Sequence, residues 1–388
     1  MAILKKQDFY NTFHDKGLIP NCYESIHFKN GVAFYEKKES GREKNSGFNC
    51  YAISLFPQYF TFKLPKGKHR IKKITQKNLD GFAIDLNGYS TADHYLKENL
   101  KSQTRSPILR RIKRLELCFD MEHKLFFGNI SEIDYRNIMA LLKQMLETRF
   151  AQKNDTTEIL GKWDKYLNET HNKILKKEAS LFVTYASNQI IAISLNYHVN
   201  KVFIGHIFCY DISYSKFSLG NMMVYKSLEW CCENNYLIMD MGNGDLEYKQ
   251  VWCNCIYNYD YHFIYNPKSV TGVMAAAYSI GFIKIKNYLK TLKIDELYRK
   301  IKTRNSKTEN TVKLFQSYQI EELNRDHFQR DESTPIEFTK IEFNHLKKPI
   351  NDFLYLSKEH FNDLNVYQKG SKTFLIMGKQ SGQKIIMD

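Results

Sequence analysis

The chain has 388 residues, which at roughly 100–200 residues per domain fits two to three domains, and it carries 57 Lys and Arg against 42 Asp and Glu for a net charge of +15. Hydrophobic residues make up 43% and aromatics 14%, so the chain can bury a sizeable core and is not intrinsically disordered over most of its length. With 18 Gly and 7 Pro it is neither collagen-like nor linker-dominated, and its longest apolar run, Val270–Ile283, is broken by Thr271, Gly272, Ser279 and Gly281 and falls short of a membrane span.

Residues 1 to about 100 alternate short β-rich pieces with turn residues. Val32–Tyr35, Tyr51–Leu55, Tyr59–Leu64 and Gly81–Asp85 are the predicted strands, and Lys63-Leu64-Pro65-Lys66-Gly67 reads as a turn. Met1–Tyr10 has charges but no apolar stretch behind them, so no export signal is expected and the chain is expected in the cytoplasm. Its eight cysteines are then expected as reduced, buried thiols. None forms a C-x-x-C pair, and the spacings of Cys231-Cys232 and Cys253-x-Cys255 do not suit a zinc knuckle, so no metal is expected.

From 101 to about 178 the chain reads as mostly helical. Arg105–Arg114 is dense in base, and Leu115–Phe119 with His123–Phe127 reads as a short strand pair. Ser131-x-x-Asp134 resembles a capping box ahead of Ile138, Leu141, Leu142, Met145 and Leu146, whose spacing is helical. A second helix is predicted near Trp163–Leu175.

Residues 179 to 266 carry the most information. Leu181–Ala186, Ile190–Val199 and Val202–Tyr210 are three consecutive strands, and the short turns Ser187-Asn188 and Asn200-Lys201 predict an antiparallel meander. The loop Asp211–Gly220 leads into a helix over Asn221–Asn234, a strand over Leu237–Met241, the loop Gly242-Asn243-Gly244-Asp245 and a strand pair within Cys255–Tyr265. Beyond, Ile285, Tyr288, Leu289, Leu292 and Leu297 predict an amphipathic helix whose other face holds Lys284, Lys290, Lys293, Arg299 and Lys300. The tail is expected to be β-rich at Ile336–Phe338, Thr373–Met377 and Lys384–Met387.

A strand that ends in a loop opening onto a helix N-terminus is an anion site, because the first N–H groups point outward and the dipole is positive there. Ser218-Leu219-Gly220-Asn221 occupies that spot: Gly220 permits close backbone approach, and Ser218 can cap the helix or bond a phosphate. An ordinary helix start fits the same residues. The arrangement resembles the GNAT acyltransferase superfamily, in which the fourth strand and the following helix clamp the pyrophosphate of coenzyme A. Three motifs are similar to those of its bacterial branch related to the cellulose-biosynthesis protein CelD and to Fem-type peptidoglycan-bridge transferases, with a BioF-type acetyltransferase-like domain. They are the basic stretch Arg105–Glu116 ending in Leu-Glu, Tyr210-Asp211 followed by Ser218-Leu219-Gly220, and Met239-Asp240-Met241-Gly242-Asn243-Gly244-Asp245-Leu246-Glu247-Tyr248-Lys249 with Trp252 at the aromatic position after it. Leu219 stands where that branch has proline, and the Arg/Gln-x-x-Gly-x-Gly/Ala signature is absent.

The resemblance implies an α/β fold with a GNAT-like mixed, mostly antiparallel sheet flanked by helices. It leaves room for a degenerate second GNAT-like half at the N-terminus and adds a small β-rich C-terminal region. The expected organisation is an N-terminal α/β region at 1–100, a GNAT-like acyltransferase domain at 101–270, a basic amphipathic helical segment at 271–304 and a C-terminal β-rich region at 305–388. The implied reaction moves an acyl group from acyl-CoA or an acyl carrier protein to an amine of a sugar, amino acid or lipid precursor, in envelope or polysaccharide biosynthesis. Fem-type relatives imply aminoacyl-tRNA as the alternative donor. A third reading is a non-catalytic GNAT-fold protein that binds a membrane or partner.

Acyl transfer to an amine needs a deprotonated amine, a stabilised oxyanion and a protonated leaving thiolate. Asp240 at the end of a core strand, and Asp245 in the loop beyond it, could orient the acceptor or take its proton, whereas Asp245 also suits a plain turn position. Lys249 could neutralise developing charge or stand as a solvated cation, and Tyr248 could protonate the thiolate or pack in the core. His206 is the candidate base in the strand that lines the donor groove of the resembled fold; a satisfied core histidine fits it too. Lys216, Ser218, Leu219, Gly220 and Asn221 are the candidate donor-binding residues, and Asp211, Glu247 and Trp252 the candidate acceptor-binding ones. Two segments, Lys97–Arg114 and Thr271–Arg304, each carry a net charge of +6, while Asn305–Asp388 is neutral. Such flanks suit a phosphate-bearing donor, an acidic carrier protein, the anionic inner face of a membrane, or tRNA under the alternative reading.

Overall fold

Turn chemistry sets the central hairpins. Ser187 and Asn188 both adopt left-handed backbone (φ 45° and 66°), as does Asn200 (φ 51°), which matches the twist of tight hairpin turns. The structure is a computed structural model that describes residues 4–37, 48–67, 69–152, 157–292, 317–323 and 333–387. Its strands are β1 (Leu4–Asp8), β2 (Ser25–Phe28), β3 (Ala33–Glu36), β4 (Cys50–Pro57), β5 (Phe60–Lys63), β6 (Arg70–Asp85), β7 (Met121–Phe126), β8 (Ala179–Ala186), β9 (Gln189–Val199), β10 (Val202–Tyr210), β11 (Ile238–Asn243), β12 (Cys255–Tyr265), β13 (Tyr318–Glu322), β14 (Thr334–Ile336), β15 (Asn365–Lys369), β16 (Thr373–Met377) and β17 (Gly382–Met387). Its helices are α1 (Phe9–Lys16), α2 (Ala92–Asn99), α3 (Ser102–Cys118), α4 (Glu132–Gln152), α5 (Glu158–Gly161), α6 (Trp163–Leu175), α7 (Leu219–Glu233), α8 (Glu247–Trp252), α9 (Val270–Thr291) and α10 (Lys347–Ser357). A 3-10 turn spans Ile212–Phe217.

The chain divides into two units that interleave along the sequence. The first comprises Met1–Tyr95, Tyr197–His206 and Cys231–Glu309. Its strand order is β1-β4-β12-β6-β11-β10. β1 is parallel to β4 and β10 to β11, while β12 is antiparallel to β4 and β6, and β6 to β11. Bonded on both edges, Cys255–Tyr265 is one long strand and not the expected strand pair. β2 pairs with β3 and β5 in a small separate sheet. The core between is aromatic: the Phe9 and Phe56 ring centroids lie 4.7 Å apart and those of Phe34 and Phe60 4.5 Å.

The second unit comprises Leu96–Asn196, Ile207–Trp230 and Asn310–Asp388. Its order is β10-β9-β8-β7, with β7 antiparallel to β8. The strand expected at Leu115–Phe119 is instead the last turn of α3. Ile108, Ile112, Leu115 and Cys118 repeat at helical spacing and bury one face, and β7 takes β8 as partner in its place. Ser131 starts α4 as its sequence suggests: Oγ accepts from the Asp134 N–H at 3.0 Å and donates to the Asp134 carboxylate at 2.7 Å. The helix expected near Trp163–Leu175 is α6. The tail forms the five-stranded antiparallel sheet β13-β17-β16-β15-β14. It also supplies α10, which packs on α3 and on the 3-10 turn. Of the expected basic segment 271–304, residues 293–304 lie outside the described residues.

Candidate active site

In the first unit, β11 delivers Asp240 to a fully buried position. Its Oδ2 accepts from the hydroxyls of Tyr59 and Tyr257, each at 2.8 Å, and its Oδ1 accepts from the Gly242 N–H at 2.7 Å. Tyr257 shares a hydrogen bond of 2.9 Å with Tyr259, whose ring meets Tyr10 edge-on at 5.6 Å. Burial pushes the Asp240 carboxyl above the ordinary carboxylate range, against the pull of the Gly242 N–H and the tyrosine hydroxyls. Burial likewise raises Tyr10, Tyr59, Tyr257 and Tyr259, with the Asp240 charge adding to it. Gly81 makes this possible. A Cβ there would collide with the Tyr257 ring, so only glycine lets that tyrosine lie across β6.

Beyond Asp240 the chain turns through Gly242 and Gly244, both left-handed (φ 70° and 96°). Residues Glu247–Trp252 then form the short helix α8, which buries Lys249. Its ammonium donates to the Asn243 carbonyl at 2.6 Å and lies 5.9 Å from the centre of the Phe82 ring. Burial lowers the Lys249 pKa, and the Asp240 charge opposes that shift. Lys249 is therefore not a solvated cation but an internal tie on the loop. Trp252 is fully buried, and its carbonyl accepts from the Tyr95 hydroxyl at 2.6 Å. Asp245, Glu247 and Tyr248 are exposed at the rim, with Asp245 accepting from the Gln250 amide.

The parallel ladder between β10 and β11 runs for only three residue pairs, Val202–Ile204 with Ile238–Asp240. β10 continues past that point through Gly205 and His206. His206 is half-buried, and its ring lies 5.2 Å from that of Tyr197. Ile204 pairs with Asp240, and His206 is two residues further along the strand. Alternation therefore places His206 and Asp240 on the same face of the sheet.

In the second unit, Asp211 caps the 3-10 turn: one carboxylate oxygen accepts from the Ser213 N–H at 2.9 Å and from its hydroxyl at 2.7 Å. Lys347 of α10 pairs with the same carboxylate at 2.7 Å. Ser218 then takes a left-handed conformation (φ 61°) and starts α7, and its carbonyl accepts from the N–H groups of Asn221 and Met222. The N–H groups of Leu219 and Gly220 are left without an intrahelical acceptor. The Ser218 hydroxyl accepts from the Asn221 amide at 2.8 Å, and the Leu219 side chain is buried. Within 4 Å a Cβ on Gly220 would meet only the Tyr210 ring, at 3.5 Å. Lys216 lies 3.6 Å from Asp352, which also pairs with Lys348 at 3.0 Å.

Several of these residues carry no signal in the sequence. The tyrosines around Asp240 come from distant segments, with the alternation Tyr257-x-Tyr259 as the one local hint. Arg149 donates to the Phe208 carbonyl at 3.1 Å and lies over the Tyr210 ring at 5.2 Å, which puts a cation beside the ring that borders Gly220. Burial pushes the thiols of Cys22 and Cys253 up to about 12 and those of Cys50 and Cys118 to about 11, so none of these four is poised as a nucleophile.

The family model described as an acetyltransferase (GNAT) domain matches residues 102–250. Residues 102–250, under half of the chain, are thus similar to a GNAT acetyltransferase domain. The matched span holds α3, the meander, the loop at 211–221 and Asp240 through Lys249, so the motifs of the sequence lie within it except for Trp252, two residues beyond its end. No curated protein matches the chain. Among solved structures, a conserved protein of unknown function from Bacteroides thetaiotaomicron VPI-5482 is 11% identical with a TM-score of 0.38, over 56% of this chain and 70% of that one. FemX is 8% identical with a TM-score of 0.39, over 55% and 72%. A tandem GNAT protein from the clavulanic acid biosynthesis pathway is 8% identical with a TM-score of 0.30, over 57% and 65%. Among the described residues no helix is long and apolar enough to cross a membrane, and no group of three or more His, Cys, Asp or Glu is placed to hold a metal.

Proposed function

We propose that the protein is an N-acyltransferase that moves an acyl group from a thioester, acyl-CoA or acyl carrier protein, to an amine of a sugar, amino acid or lipid precursor. The observation that carries the reading is the early end of the β10–β11 ladder inside the GNAT domain. Parallel strands that part at their carboxyl ends leave unpaired backbone groups and a crevice, the usual place for a ligand on such a sheet. His206 borders it and serves as the base, taking the proton from the amine as nitrogen attacks the thioester carbonyl. The C–N bond forms, the oxyanion collapses, the C–S bond breaks and the leaving thiolate takes up the proton that His206 accepted, which restores the neutral base. Asp240, with no exposed surface, is a positioning residue: it holds the Gly242 N–H at the start of the turn that leads to Asp245 and Glu247, which orient the acceptor. In the second unit, taken by itself, the two N–H groups at the start of α7 suit a phosphate, with Arg149 over the neighbouring Tyr210 ring supplying charge.

Calorimetry with coenzyme A and acetyl-CoA tests the donor, and turnover of His206→Gln tests the base. Binding in the micromolar range, with kcat lowered about 10²–10⁴-fold in the variant, is the expected result. No binding of either thiol compound, together with no transfer from an acyl carrier protein, overturns the reading. A second reading, an aminoacyl-tRNA donor, is favoured by Arg110, Arg111 and Lys113, which are all exposed on α3. It expects tRNA binding that weakens steeply with salt and with neutralisation of those three side chains.

A further inference from the structure

α9 departs from the pattern of a helix that merely covers a sheet. Its inward face, Gly272, Ala276, Ser279 and Ile283, is buried, and the helix packs on β4, β6 and β12. A solvated helix carries polar residues on the opposite face. Here that face holds Val270, Met274, Tyr278, Phe282, Ile285 and Tyr288 at steps of three and four residues, each 59–75% exposed. Isolated exposed apolar side chains are ordinary, but a continuous stripe marks an interaction surface. Beside the stripe, a groove of about 350 Å³ runs between α9 and β1, with Tyr278 and Phe282 on one wall. Its one carboxylate, Asp8, is engaged by Asn11.

The charge along this face has one sign. Lys284, Lys286 and Lys290 are the only ionic residues of α9, and no Asp or Glu occurs between Asn266 and Leu292. At 3.6 residues per turn, the exposed Lys284 and Lys286 fall on opposite edges of the stripe. A second copy of the chain is a poor occupant, because a twofold contact would bring the same α9 lysines together with no acid of α9 to offset them. An apolar face edged, among the described residues of α9, by cations alone matches a surface that is itself apolar beneath a layer of negative charge.

We propose that the outer face of α9 docks the protein on an anionic lipid bilayer, its aromatic and aliphatic side chains entering the acyl boundary and Lys284 and Lys286 meeting lipid phosphates. This docking is independent of the acyl-transfer reading and holds whatever the substrate. Co-sedimentation of the full chain with vesicles of phosphatidylcholine, with and without phosphatidylglycerol, tests it. Binding at least tenfold stronger with phosphatidylglycerol, and weakened by salt, is expected. The double variant Met274→Asp, Phe282→Asp should lower binding at least tenfold, and Lys284→Glu with Lys286→Glu should abolish the preference for phosphatidylglycerol. All four side chains are exposed, so circular dichroism should show the fold retained. Vesicle binding unchanged by these variants, no binding to either vesicle, or a soluble dimer that Phe282→Asp dissolves overturns the proposal.

Discussion

Asp240→Asn is the most informative single change in the first unit. Asn keeps the shape of Asp but has one acceptor oxygen where the carboxylate has two. With that oxygen toward Tyr59 and Tyr257, the new amide faces the Gly242 N–H and leaves a buried donor unpaired. With the amide flipped, both tyrosine hydroxyls must turn from donor to acceptor. A buried donor without a partner costs about 1–3 kcal/mol, and a hydrogen bond to a charged group is worth about 1.5–3 kcal/mol. Removing a buried charge returns part of this, so a loss of about 2–4 kcal/mol is expected. In a unit of about 150–250 residues that corresponds to roughly 4–16 °C in Tm. Urea unfolding read by the fluorescence of the buried Trp252 measures it. The pH dependence adds a second check. Burial holds the folded pKa of Asp240 above its ordinary value of 3.8. The folded state thus binds this proton more tightly than the unfolded chain does. The resulting stability is full below 3.8 and is lost as pH rises through the folded value. Asn has no such slope, so the gap between wild type and variant should narrow over that window and then stay constant. A loss below about 0.5 kcal/mol, or a gap that widens with pH, would refute the account of Asp240 as a buried anchor.

Gly220→Ala should leave Tm unchanged or slightly raised, since a Cβ meets only the Tyr210 ring, while weakening coenzyme A binding at least tenfold by calorimetry if a phosphate sits there. Glu359→Gln should cost about 1.5–3 kcal/mol, because the buried carboxylate accepts from the backbone N–H groups of Lys379, Gln380 and Ser381; faster hydrogen exchange in that turn is the readout. Burial holds His198 and His262 near pKa 3 and His123 near 4, below the usual 6.5, so each adds stability above 6.5 that is lost as pH falls toward those values. His262→Phe should therefore show a shallower acid limb than wild type, although it starts lower because the Tyr23 hydroxyl loses its 2.7 Å partner; identical limbs would sink that assignment.

Elements with local signals are legible in the sequence. The capping Ser131, α6 and the hairpin turns at 187–188 and 200–201 each depend on residues a few positions apart. Leu115–Phe119 misleads for the same reason: five residues cannot reveal a helical face that begins at Ile108. β12 reads as two strands because a sequence does not say that both its edges are bonded. The site divides along the same line. The turn Gly242-Asn243-Gly244-Asp245 and the loop before α7 are visible as motifs, because glycine and serine requirements are local. The surroundings of Asp240 are not, since Tyr59 lies 181 positions away from it. Neither is the inward turn of Lys249, which follows from an unforeseen helix at 247–252.

By itself, the sequence determined the fold class and the GNAT-like order of strands, loop and helix, because periodicity, turn residues and motif spacing are properties of short stretches. Only the tertiary structure decided which of those residues are buried and which hydrogen bonds they make. Folding buries Asp240, Lys249 and Trp252 among partners from distant segments, and it leaves His206 partly open where the ladder stops. The same division applies to charge. The basic segment that begins at Thr271 is plain in the sequence, but only packing on β4, β6 and β12 showed that its helix turns an apolar stripe edged with lysine to the outside. Burial and exposure depend on contacts between distant segments, and no local pattern encodes them.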